Sequence, residues 1–111
     1  MKGWAERFRE NESKLRQQSE CADSWVERAR LLMLEDGTSQ DQAPYGLDEV
    51  EKCILKALDL SPEHLEAIEE AAHFYDVMVP DRSKAVAYAE RYVKLAGKVV
   101  EEMKEIIEES D

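Results

Sequence analysis

The sequence predicts an all-α protein made of antiparallel helix hairpins, and three observations point there. In each long segment apolar residues recur at intervals of three and four, the period of a helix with one buried face. Four glycines and three prolines in 111 residues supply too few turns for an all-β fold. A composition of 43% hydrophobic and 37% charged residues is too apolar for a disordered chain and suits helices with charged outer faces. At this length residues 1–111 form one domain, able to bury roughly two-thirds of the surface the unfolded chain exposes.

The first predicted helix lies within residues 1–18, where Trp4, Phe8 and Leu15 share a stripe among Arg and Glu. Such a helix covers one face of a core, or mediates dimerisation if both rings are exposed. A second helix begins near Ser19 and carries Trp25, Ala29 and Leu32, with Leu31 and Leu34 alongside and Asp36-Gly37 closing it. Residues 35–46, rich in Gly, Ser, Asp and Gln and containing Pro44, read as a long loop in which Tyr45 could anchor a contact. A third helix runs from Leu47 or Asp48 to Leu60, with Val50, Ile54, Ala57 and Leu58 inward and Asp48 and Glu49 near its positive end. Ser61-Pro62-Glu63 then signals a new helix, because the Ser61 hydroxyl can cap free backbone N–H groups and proline suits a first turn.

The stretch from Glu63 to Gly97 reads as a hairpin around which the chain is organised. Ile68, Ala71, Ala72 and Tyr75 fall on one face of its first arm, and the alanine pair lets a neighbouring helix axis come close. Pro80-Asp81 breaks the pattern, and the second arm comes next with Ala85, Ala89 and Tyr92 inward and Gly97 expected as its C-cap. Residues 98–111 are predicted as a separate capping helix. Its Val99, Val100, Met103, Ile106 and Ile107 lie on one side and five glutamates on the other, as suits the last element of a stack.

The two hairpins repeat one another. Val50, Ile54, Ala57 and Pro62 correspond to Ala85, Ala89, Tyr92 and Gly97, while Trp25, Ala29 and Leu32 correspond to Ile68, Ala72 and Tyr75 at a spacing lengthened by the 35–46 loop. In these residues, and above all in Ala57-Leu58-Asp59-Leu60-Ser61-Pro62, the chain resembles the tetratricopeptide repeat family, whose unit is a helix-turn-helix of about 34 residues. Residues 19–62 would be the first unit and 63–97 the second, flanked by the two terminal helices. Departures from the pattern are Arg28 at a usually apolar position, Ala89 where a large aromatic is common, and Gly97 in place of proline. The resemblance implies a short right-handed solenoid whose first helices line a groove for a partner polypeptide. Carried over by position, that groove would hold Asp23, Val26, Arg30 and Met33 with Glu66, Glu69, His73 and Asp76. Acids predominate, so a partner segment that is basic, or mixed basic and apolar, is expected over an acidic one.

A formal charge of −11 argues against nucleic acid and anionic membranes as partners, since both are bound through basic patches. The same acids also serve solubility. No phosphate-binding loop, dinucleotide fingerprint or nucleophile elbow is present, so the chain is expected to be no enzyme and to need no cofactor. Cys21 and Cys53 lack metal-ligand spacing, and His64 and His73 fall on opposed sides of one helix, which argues against a metal site. His64 is expected at the surface and His73 on the groove. The N-terminal residues lack a signal-peptide pattern and no run is long enough to span a membrane, so the cytoplasm is the expected location. Beside the adaptor reading stand a homo-oligomerisation unit and a small acidic inhibitor or immunity-like protein.

Overall fold

The computed structural model describes residues 3–33 and 46–109. Among them the regular elements are helical: α1 (Trp4–Gln17), α2 (Ala22–Met33), α3 (Leu47–Leu60), α4 (Leu65–His73), a wide π-helical turn (Phe74–Met78) and α5 (Arg82–Glu109). Apart from Gly46, the loop predicted at 35–46 lies outside the described residues, with Tyr45 and Pro44 in it, as does Leu34. No helix among the described residues is long and apolar enough to cross a membrane.

The apolar periodicity accounts for the core. Val50, Cys53, Ile54, Ala57 and Leu58 of α3 are buried, the i, i+3, i+4 set of one helix face. Ala29, Ala67 and Ala71 are fully buried, so the helices meet through small side chains. α1 lies antiparallel on α2: Trp4 at its start donates its indole N–H to the Leu31 carbonyl, while Asn11 further along donates to Ser24 O at 2.9 Å. Trp4 stacks on buried Phe8 at 4.9 Å between ring centroids, and this places α1 as a cover for the core. Arg28, predicted as a misfit at an apolar position, is buried with its guanidinium 4.9 Å from the Phe8 ring centroid. It reaches Glu12 of α1 at 4.0 Å and Glu49 of α3 at 3.7 Å, so one charge ties three helices.

α4 and α5 form the second hairpin. Arg91 of α5 donates to the Pro62 carbonyl before α4 at 2.6 Å, and Tyr75 at the far end stacks on Tyr88 at 5.9 Å, which fixes an antiparallel run. Between the arms the chain widens, with Val79 N bonded to Phe74 O and Asp81 N to Tyr75 O, and both neighbouring rings, Phe74 and Tyr75, are buried. Asp81 then caps α5, its Oδ1 accepting from Lys84 N at 3.2 Å.

Four expectations need correction. Ser61 is not the cap of α4: its N–H closes α3 on Ala57 O, and His64 caps instead, its Nδ1 accepting from Ala67 N at 3.1 Å. His64 is accordingly half-buried and not at the surface. Ala89 is exposed, because the inward stripe of α5 is Ala85, Tyr88, Tyr92 and Leu95, one row over. Gly97 does not cap a helix. It sits inside α5, with no positive φ at any described glycine, and the 28-residue helix runs about 42 Å without a break. A glycine terminator is stabilised by an apolar contact from the next residue, and here that residue is Lys98. Residues 98–109 therefore continue away from the body as an exposed helix and do not fold back to cap it.

Candidate protein-binding surfaces

α2 and α4 lie side by side and run parallel. Asp23 near the start of α2 pairs with His64, and Arg30 near its end pairs with Glu70 at 2.7 Å and Glu66 at 3.2 Å. Asp23, Arg30 and Glu66 belong to the predicted groove, His64 and Glu70 do not, and all five are drawn into contacts between the two helices. The Glu70 hydrogen bond, more than any other influence, raises the Arg30 pKa above its ordinary value and keeps the guanidinium charged. Asp23 and Glu66 stay largely exposed beside these contacts, and the single Arg30 charge offsets only one of Glu66 and Glu70, so the seam keeps an acidic character.

The remaining predicted residues divide further. Val26 is buried in the core and offers no foothold, because α2 is covered by neighbours on more than one side. Met33 is half-buried against the same core. Glu69, His73 and Asp76 are exposed on the outer edge of the second hairpin, with His73 Nε2 3.9 Å from Glu69 Oε1. The structure thus brings His73 and Asp76 together at one end of the molecule, beside a cleft of about 270 Å³ between the arms of the second hairpin. Ala72, Arg82, Ala85, Val86 and Ala89 complete its wall.

From this cleft an apolar strip continues along α5. Val86, Ala89 and Val93 border a shallow depression, and beyond the body Val100, Met103 and Ile107 carry the strip outward, with Val99 and Ile106 along its Tyr92 flank. Val93 is 71% exposed and Ile107 68% exposed, high values for such side chains. Val86 and Val93 had no place in the sequence-based site, although the recurrence of valine at 86, 93 and 100 marks the strip.

The two thiols differ in environment. Burial pushes Cys53 up to about 11, while hydrogen bonds from Ser24 lower the pKa of Cys21, which stands alone before α2. Among the described residues no group of three or more His, Cys, Asp or Glu side chains could hold a metal ion.

No family model matches the chain, and no curated protein and no solved structure is significantly similar to it.

Proposed function

We propose that this protein is a non-catalytic interaction module that binds another polypeptide through the exposed apolar face of α5. One observation carries the reading: α5 extends past the body with Val93, Val100, Ile106 and Ile107 open to water, an arrangement that covering by another chain would stabilise. A second reading is a tetratricopeptide-like adaptor that takes a basic or mixed segment at the α2 and α4 face. The parallel run of α2 and α4 favours it, with Glu69, His73 and Asp76 as the residues left to make contact.

A photo-crosslinking amino acid placed at Val93 in one preparation and at Glu69 in another separates the two. Polypeptide adducts from position 93 and none from 69 are expected. Adducts confined to position 69 would transfer the function to the α2 and α4 face.

A further inference from the structure

Four apolar residues of α5, Val86, Val93, Val100 and Ile107, recur every seven positions. Ala89, Ala96 and Met103 stand three residues after the first three of them. That is the heptad pattern of a two-helix seam, sustained over about 33 Å of helix. Ala89, Val93, Val100 and Met103 are exposed. The seam also begins on the body-attached half of α5 and ends on the projecting half, and this allows one such helix to lie along another.

Resting on the reading of α5 as the binding face, we propose that its occupant is a second copy of this chain, paired antiparallel along α5 about a two-fold axis beside Gly97. In that register the side-chain sizes complement each other: Ala89 meets Ile107 of the second copy, Val93 meets Met103, and Ala96 meets Val100. Each layer sets a smaller side chain against a larger one. On one flank Glu90 comes opposite Lys104 of the second copy, and the symmetry repeats the pair, whereas Gly97 faces its own counterpart. The other flank is apolar, with Val99 opposite Val99 and Tyr92 opposite Ile106. The projecting half of each α5 then covers the attached half of the other, and Glu109 comes level with Ala87 near the cleft. Lys104 is held by no strong competitor, since its pair with Glu101 on the same helix is long, 3.7 Å, and exposed.

A parallel pairing of the same seam lacks these features. It would stack alanine on alanine in two layers and leave Glu90 and Lys104 beside Ala85 and Val99, with no charge pair to set the register. It would also bring two bodies to the same end of the helix pair.

Sedimentation equilibrium of the intact chain at roughly physiological ionic strength, where the repulsion between two chains of −11 is screened, tests the pairing. A concentration-dependent dimer is expected. Glu90→Lys creates two like-charge pairs and is expected to weaken the dimer about tenfold, Lys104→Glu likewise, and the double variant to restore it. Val100→Glu puts charges into the central layers and is expected to weaken it by about 100-fold or more, with circular dichroism confirming that the helices persist. A dimer indifferent to these changes, or one that the double variant fails to restore, overturns the proposal. A chain that stays monomeric overturns it as well. If Val93 in that monomer still crosslinks to a different polypeptide, the α5 face remains the binding face; if it forms no adduct, both readings fall.

Discussion

Gly97→Ala discriminates between a continuous α5 and a helix that stops. At this position φ is not positive and a β-carbon added to the glycine meets nothing within 4 Å, so alanine brings neither strain nor a clash. What remains is the helix-propensity difference between the two residues, about 1 kcal/mol in favour of alanine. Since Gly97 lies where α5 leaves the body, the gain falls first on the projecting half. Amide protection of residues 98–109 should rise about fivefold, the factor that 1 kcal/mol represents. Far-UV circular dichroism should show helicity retained or increased. Where the projecting half melts together with the body, the Tm should rise by about 4 °C. The opposite sign refutes the reasoning: at a left-handed terminator alanine would cost about 1–2 kcal/mol, and helicity beyond residue 97 would fall.

Asn11→Ala removes the 2.9 Å hydrogen bond to the Ser24 carbonyl and a fully buried side chain, but also a buried Oδ1 that has no partner, so the net loss of unfolding free energy in urea should be about 1 kcal/mol. Ala29→Leu should destabilise by about 1–3 kcal/mol in the same assay, because the side chain at 29 is fully buried in the core and a larger one must displace its neighbours. Burial, and after it the 2.7 Å hydrogen bond to Glu51, raises the Tyr75 pKa above its ordinary 10.0. The stability tied to the neutral phenol is therefore complete below pH 10.0 and declines as pH climbs from there toward the raised folded value. Tyr75→Phe should be less stable than the parent by about 1 kcal/mol near neutral pH, with the gap closing in alkaline denaturation curves. Iodoacetamide should label Cys21 in the native protein and spare Cys53, which is fully buried and should react only on unfolding.

The helices were legible where the buried residues fall on a single apolar face. α3 is the clearest case: Val50, Ile54, Ala57 and Leu58 are buried as their spacing requires. Ile68, Ala71 and Tyr75 were legible for the same reason. Val26 was assigned to a groove because a positional correspondence supplies one face to α2, whereas neighbours on several sides bury residues around most of its circumference. Gly97 reads as a stop in any linear scan, yet it lies within α5 without a positive φ, and the next residue, Lys98, lacks the apolar side chain that accompanies a terminating turn. The groove residues were found as individuals but not as a surface. Spacing along one helix does not reveal that Arg30 reaches across to Glu66 and to Glu70, a residue outside the predicted groove. The strip on α5 was hidden by the expected break at Gly97, which divided one seven-residue rhythm between two supposed elements.

The π-helical turn at Phe74–Met78 gives the second hairpin a property that an unbroken α-helix lacks. Neighbours on an ordinary helix diverge by about 100°, so a helix packed on one side turns only one of two consecutive large rings fully inward. The wider rung lets both Phe74 and Tyr75 turn inward, and it absorbs the surplus residue before Asp81 resets the phase of α5. The angular setting of α5 is thereby uncoupled from residue count in α4, and a one-residue deletion among Asp76, Val77 and Met78, all exposed, would tighten that rung to ordinary pitch without rotating the long helix beyond it.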